Sequence, residues 1–92
     1  MTDMPTFEAR LARAKFRAWH RGTREADYMI GGFFDRYSAE WDVPALEWFE
    51  DVLAEDDVDI MAWALKTAPV PEKFQGEQIA KMQALDYVDI PR

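Results

Sequence analysis

Two helical patterns of apolar residues meet at residues 20–27, and this junction constrains the fold more than any other part of the sequence. Gly22 interrupts the first pattern and favours a left-handed helix end, and the Thr23 side chain can cap the helix that follows. Glu25 and Asp27 place negative charge in the first turn of that second helix, where it interacts favourably with the helix dipole. The chain should therefore turn tightly here, at a polar and charged hinge corner between two helices.

Apolar residues spaced by three and four positions predict helices along the rest of the chain. The first four helices should cover about residues 6–20, 24–37, 43–54 and 57–67, and a fifth should begin near residue 76. No segment alternates with a period of two for long enough to indicate a strand. We therefore predict an all-α fold, a compact bundle of about five short helices.

The length of the chain, 92 residues, is that of a single domain. We expect residues 1–92 to form one domain with its core in residues 6–86 and a flexible tail in residues 87–92. Residues 68–71 read A-P-V-P and should form a rigid, extended connector before the fifth helix, because proline fixes its own backbone and disfavours helix before it.

Several side chains mark helix ends or irregularities within this pattern. Asp42 precedes an early proline and should cap the third helix, and Asp56 or Asp57 can cap the fourth. Gly31 and Gly32 lie in the middle of the second helix, where each costs about 1 kcal/mol relative to alanine. We expect this glycine pair to bend the helix or to let a neighbouring backbone come close.

The first helix carries apolar residues on two separated sides. The side assigned to the core contains Phe7, Leu11, Ala14 and Ala18. The other side contains Ala12, Phe16 and Trp19, and a stripe of arginines comprises Arg10, Arg13, Arg17 and Arg21. One neighbouring helix cannot cover both sides, so the second side is either sandwiched within the bundle or partly exposed as a partner-binding face.

Charge is distributed unevenly along the chain. The net charge is −7, but residues 1–24 hold six basic and two acidic side chains, a balance of +4 that leaves −11 on the remainder. An acidic body disfavours nucleic-acid binding, whose affinity comes mainly from phosphate neutralisation. A local basic strip can still steer an acidic partner, so the electrostatics favour a protein partner.

The composition excludes several kinds of chemistry. The chain has no cysteine, and His20 is its only histidine, so disulfides, thiol nucleophiles and thiolate metal sites are ruled out and a histidine-based triad or zinc site is disfavoured. Glu25 and Asp27 lie two positions apart on a helix and make a poor acid–base pair. No glycine-rich phosphate loop is present. These observations predict a binding module without catalytic or metal-binding residues rather than an enzyme.

Residues 40–59 contain nine acidic side chains and no basic one, which we interpret as a solvated face, because the glycine and glutamate spacing of an EF-hand is missing. No apolar run approaches the roughly 18 residues of a membrane span, and no apolar signal core follows the N-terminus. Asp3 and Glu8 argue against a mitochondrial transit peptide in the arginine-rich start. We expect a cytoplasmic protein that does not insert into membranes.

Two segments of this chain resemble one known family. Residues 21–27, R-G-T-R-E-A-D, followed by Phe33 and Phe34, are similar to the R-G-x-x-E-x-D signature of the SdhE family of FAD assembly factors, also called succinate dehydrogenase assembly factors. Residues 56–63, D-D-V-D-I-M-A-W, resemble that family's acidic segment ending in tryptophan. The likeness runs from about Leu11 to Pro71.

The resemblance implies a five-helix bundle that binds the flavoprotein subunit of succinate dehydrogenase, and in some bacteria that of fumarate reductase. It would promote covalent attachment of FAD to a histidine of that partner, which flavinylates itself. The partner holds the cofactor, so this chain should bind no FAD tightly. The free chain should be a monomer. Carried over to this sequence, the motif residues are Arg21, Gly22 and Glu25, with Asp27 beside them.

The partner-binding residues expected around that motif are Arg17, His20 and Arg24; His20 stands where many relatives have another arginine. Arg21 would offer its guanidinium fork to the partner, and Glu25 would pair across the interface or fix Arg21. Two other interpretations stay open. The chain could be a flavin-binding transferase in which Arg21 and Arg24 hold the pyrophosphate, or an interaction bundle unrelated to flavin.

Overall fold

This computed structural model describes residues 6–88 of the chain, which contain five α-helices and two short 3₁₀ turns. The α-helices are α1 (Phe7–Trp19), α2 (Arg24–Tyr37), α3 (Val43–Leu53), α4 (Asp57–Ala64) and α5 (Glu77–Ala84). The 3₁₀ turns are Ser38–Glu40 and Glu72–Phe74. No strand occurs within these residues, and the all-α prediction of five short helices is confirmed.

The helix starts follow the capping signals in the sequence, with one exception. The Thr23 hydroxyl accepts a hydrogen bond from the backbone N–H of Ala26, and the Asp42 carboxylate accepts one from Ala45. Asp56 occupies the cap position of α4, but its side chain makes no capping hydrogen bond. Asp57, the other candidate cap, is instead the first residue of α4 and bonds elsewhere.

A cluster of aromatic rings forms the centre of the core. Phe33 of α2 is fully buried, and its ring centroid lies 5.8 Å from that of Phe49 on α3 and 5.9 Å from that of Trp41. Burying a phenylalanine side chain stabilises a fold by about 1.5–3 kcal/mol. The apolar residues that α3 and α4 contribute to the core are Leu46, Phe49, Val52, Leu53, Ile60, Trp63 and Ala64.

Helix α1 packs against α2 and α3. Its buried residues, Ala14 and Ala18, lie on the side that the sequence assigned to the core. Arg10 reaches α3, where its Nε donates a 3.1 Å hydrogen bond to Glu50 Oε2, and this hydrogen bond holds the pKa of Glu50 below its ordinary value. At least one arginine of the stripe therefore ties α1 to the bundle.

The glycine pair of α2 lets neighbouring side chains come close without breaking the helix. Helix α2 is continuous through Gly31 and Gly32. A Cβ added at Gly31 would lie 2.3 Å from a ring atom of Trp19, and one added at Gly32 would lie 3.3 Å from the ring of Tyr87. The close approach expected here is made by the ring of Trp19 at Gly31, and by both the ring and the backbone carbonyl of Tyr87 at Gly32.

We expect Gly31→Ala to lower the free energy of unfolding by about 1 kcal/mol, although alanine is the better helix former. The overlap with Trp19 should cost about 1–3 kcal/mol, against about 1 kcal/mol gained in helix propensity. Chemical denaturation followed by circular dichroism measures this, with Gly32→Ala as the control that meets a milder contact. A more stable Gly31→Ala variant would contradict the account.

The packed part of the chain extends beyond the predicted limit at residue 86. The Tyr87 ring lies 5.7 Å from that of Phe33, and its hydroxyl donates a 3.1 Å hydrogen bond to the Met82 carbonyl. Burial raises the pKa of Tyr87, so the hydroxyl remains a donor at any ordinary pH. Assigning Tyr87 to a flexible tail was therefore wrong, because its ring fits against Gly32; residues 89–92 lie outside the described part.

Candidate functional site

The hinge corner joins α1 to α2 through residues 20–23. Gly22 has φ of +109°, a conformation that side chains with a Cβ rarely adopt. No heavy atom outside its immediate neighbours lies within 4 Å of where a Cβ would stand. The turn therefore requires glycine for its backbone conformation, and it leaves this stretch of backbone open to the surface.

The Asp27 carboxylate closes the corner from within. Its Oδ1 accepts a 2.6 Å hydrogen bond from the backbone N–H of Arg21. This bond joins the residues just after α1 to the first turn of α2, so the two helices are held at a fixed turn. Asp27 is half-buried, and its principal contact is internal.

The Arg21 guanidinium is directed into the protein rather than towards solvent. Its Nε donates to Asp57 Oδ1 at 2.6 Å, and its two terminal nitrogens donate to the carbonyls of Leu53 at 3.1 Å and Glu55 at 3.2 Å. The side chain is only 11% exposed. Leu53 is the last residue of α3, where carbonyls lack partners within the helix. Arg21 therefore fastens the hinge corner to the connection between α3 and α4.

This arrangement corrects the role expected for Arg21. The sequence suggested that its fork would face a partner, but within the monomer the fork is filled by one carboxylate and two carbonyls. Asp57, which sequence reasoning treated as a helix cap, is the residue that it missed. Its position in the acidic segment that carries the family resemblance was the available signal, but no local rule pairs residues 36 positions apart.

Glu25 and Arg24 are the exposed charges of the corner. Both lie in the first turn of α2 and point to solvent. Among residues 6–88, no ion-pair partner lies within 4.0 Å of either side chain. Glu25 does not fix Arg21, the internal role considered for it, because Asp27 and Asp57 do so. Its carboxylate is free to meet another molecule.

An open hollow of about 570 Å³ lies beside the corner. It is lined by Trp19, His20, Gly22, Thr23, Arg24, Asp27 and Tyr28. The ring of Trp19 meets that of Tyr28 edge-on, with centroids 5.7 Å apart, and forms an aromatic wall. The structure thus brings four of the predicted partner-binding residues together at one concave surface.

The remaining predicted residues lie outside this hollow. Arg21 is internal, Glu25 stands on the exposed first turn of α2, and half-buried Arg17 is close enough to help lower the pKa of Glu50 on α3. In the described residues, no three potential metal-binding side chains are grouped together. No helix there has the length and apolar character needed to cross a bilayer.

The fold and the corner together define a small all-α domain with an exposed, charged turn between its first two helices. The family model described as the flavinator of succinate dehydrogenase, Sdh5, matches residues 12–86. This chain therefore belongs to the Sdh5 family, which confirms the resemblance noted in the sequence. The matched range includes the whole hinge corner and the α4 segment that holds it.

Individual relatives agree with this assignment. The FAD assembly factor SdhE of Acetobacter pasteurianus is 35% identical over 74 residues, which are 80% of this chain and 68% of the relative. The mitochondrial succinate dehydrogenase assembly factor 2 of Scheffersomyces stipitis is 32% identical over 80 residues, 84% of this chain and 54% of the relative. That of Schizosaccharomyces pombe is 32% identical over 76 residues, with 83% and 55% covered. The chain spans about half the length of these two mitochondrial relatives.

Proposed function

We propose that this chain is an assembly factor that binds the flavoprotein subunit of succinate dehydrogenase and promotes covalent attachment of FAD to it. The observation that carries the proposal is the match of residues 12–86 to the flavinator family. The names of the bacterial and mitochondrial relatives, which refer to FAD or succinate dehydrogenase assembly, support it.

The hinge corner is the surface that we assign to the partner. Glu25, Arg24 and His20 are exposed there and can form charged or hydrogen-bonded contacts across an interface. Gly22 allows the partner to approach the backbone closely, because nothing of this chain covers it. Arg21 and Asp27 act from inside by keeping the corner in one geometry, so that binding loses little conformational entropy.

The chain would assist the reaction by positioning the partner rather than by supplying a reactive group. Holding the acceptor histidine and the flavin in one orientation, with water excluded, can lower the barrier to bond formation. Asp27 bonds to the backbone of the corner while Glu25 faces solvent, so the two carboxylates do not form an acid–base pair. This arrangement supports our proposal that the chain is non-catalytic and that the partner flavinylates itself.

The same proposal places FAD on the partner. The hinge hollow offers the single guanidinium of Arg24, and the sequence has no glycine-rich phosphate loop to hold a pyrophosphate. We further propose that the free chain is a monomer and acts in the cytoplasm. In some bacteria the partner would include the flavoprotein subunit of fumarate reductase.

Reconstitution tests this function directly. The purified flavoprotein subunit, free of flavin, is incubated with FAD in the presence and absence of the chain, and covalent flavin is read as fluorescence of the denatured subunit in a gel. We expect the chain to raise the rate of flavinylation. An unchanged rate, with no complex between the two proteins, would contradict the proposal.

Titration of free FAD into the chain, followed by flavin fluorescence, separates the competing interpretations. The assembly-factor proposal predicts little or no binding. Tight binding of FAD without the subunit would instead favour a flavin-binding transferase.

A further inference from the structure

One side of α1 exposes an apolar surface that the bundle does not cover. We call it the α1 strip, and it comprises Ala12 and Phe16, which are exposed, and Trp19, which is half-buried. Phe16 is 63% exposed, which is unusual for a phenylalanine in a folded domain. A hollow of about 310 Å³ lies along the strip, lined by Ala12, Phe16, Trp19, Lys15 and His20. Of the two alternatives that the sequence left open, the structure therefore shows a partly exposed side of α1, on which Trp19 packs against α2 and Phe16 faces solvent.

The aromatic walls of this hollow are held in place before any partner arrives. The His20 ring stacks on Phe16, with centroids 4.0 Å apart and an angle of 19° between the planes, and its Nδ1 lies 2.7 Å from the Phe16 carbonyl. Trp19 lies against Gly31, and its indole N–H donates to Asp35 at 3.3 Å. Rings that are already ordered lose little conformational entropy when they bind.

The two side chains that flank the α1 strip are positive, and acidic Asp35 of α2 and Glu8 of α1 also lie beside it. By helical position Arg13 lies along one side of the strip and Lys15 along the other, and both are exposed. Lys15 Nζ lies 3.5 Å from Asp35 Oδ1, which also accepts the indole hydrogen bond of Trp19. Among residues 6–88, no carboxylate lies within 4.0 Å of Arg13. Residues 1–24 carry +4 against −11 for the rest of the chain. A negatively charged partner therefore fits this surface, since complementary charge favours association and suppresses wrong partners.

We propose that the α1 strip binds an acidic segment of the flavoprotein subunit and that this segment inserts an apolar side chain between Phe16 and Trp19. The inference rests on the proposed function. The two hollows share Trp19 and His20 as lining residues, so a segment bound along α1 continues directly onto the hinge corner. The strip supplies apolar anchoring, and the corner supplies polar contacts.

A matched pair of variants tests the anchoring. Phe16→Ser should raise the Kd for the flavoprotein subunit by about tenfold or more, as loss of a buried aromatic anchor does. Val58→Ser, which changes the 79% exposed Val58 of α4, should leave the Kd unchanged. Circular dichroism checks that both variants fold. Equal Kd values for Phe16→Ser and the unmodified chain would overturn the inference.

The dependence of binding on ionic strength tests whether the segment bound to the α1 strip is acidic. Binding of the unmodified chain should weaken as ionic strength rises, and Arg13→Gln should weaken binding and reduce this salt dependence. Binding that strengthens with salt, or that is unaffected by both changes, would overturn the assignment of an acidic segment.

Photocrosslinking separates this inference from the proposed function. A photoreactive phenylalanine analogue is placed at position 16, 28 or 58 of the full chain, and the crosslinked peptides of the subunit are identified by mass spectrometry. Position 28 is that of Tyr28, which lines the hinge hollow. We expect crosslinks from positions 16 and 28 and none from 58, with the peptide at 16 rich in aspartate and glutamate. Crosslinks from 28 alone, or crosslinks from 16 to a second copy of this chain, would overturn the inference and leave the proposed function standing. Crosslinks from neither 16 nor 28, together with no effect on flavinylation, would overturn both.

Discussion

Replacing Arg21 with glutamine should lower the free energy of unfolding by about 2–3 kcal/mol. The substitution leaves the Asp57 carboxylate without its cation and the carbonyls of Leu53 and Glu55 without their donors. The Arg21 side chain is 11% exposed and that of Asp57 26%, so water can compensate part of the loss, and we therefore expect less than the full cost of breaking a buried pair. Urea denaturation at neutral pH measures the change.

Three further variants show whether the loss comes from this network. Arg24→Gln removes a neighbouring exposed arginine and should change stability by less than about 0.5 kcal/mol. Arg21→Lys keeps the charge but not the planar fork, and should fall between Arg21→Gln and the unmodified chain. In a double-mutant cycle with Asp57→Asn, the combined loss should be smaller than the sum of the single losses. Full stability of Arg21→Gln would instead indicate that Arg21 is available to the partner, as the sequence suggested.

Glu25→Gln should reduce the stimulation of flavinylation by about tenfold or more while leaving the fold intact. The carboxylate is exposed, so little of the monomer depends on it. The reconstituted flavinylation assay gives the functional readout. Thermal denaturation of the same sample measures its stability. The substitution should lower that stability by no more than about 0.3–1 kcal/mol, because only the interaction of the Glu25 charge with the dipole of α2 is lost.

Glu8 provides the matched control for this substitution. It is also an exposed glutamate in the first turn of a helix, but on α1, away from the hinge corner. Glu8→Gln should therefore lower stability by a similar amount and leave the stimulation of flavinylation unchanged. If Glu25→Gln stimulated flavinylation normally, the assignment of the corner as the partner surface would be wrong. If it unfolded, Glu25 would be a structural residue.

Most of the helical architecture could be predicted because its signals are local. Thr23 and Asp42 bond to N–H groups three residues away, and the apolar spacing of α3 and α4 lies within one or two turns. The partners of Arg21 lie 32–36 residues away in sequence, and the ring that fits against Gly32 belongs to Tyr87. Such contacts depend on how helices pack, which periodicity does not report.

In the candidate site, too, residues governed by local signals could be predicted, whereas those that depend on helix packing could not. Gly22 and Glu25 could be placed correctly at the surface from the turn signals alone, since each is governed by its own helix end. The exposure of Phe16 could only be narrowed to two alternatives, because it depends on how many neighbours surround α1. The internal direction of Arg21 could not be foreseen, because an arginine beside a glycine turn fits either orientation equally well.

The bond between Arg21 and Asp57 makes the two segments that carry the family resemblance a single physical unit. A chain that loses the carboxylate in α4 has an unbalanced guanidinium at the turn, and one that loses the guanidinium has an unmatched acid. A substitution at position 21 or 57 should therefore be tolerated in evolution only when the other position changes as well. Across family members, the two positions should covary, and hybrid chains assembled from divergent members should fold best when both segments come from the same parent.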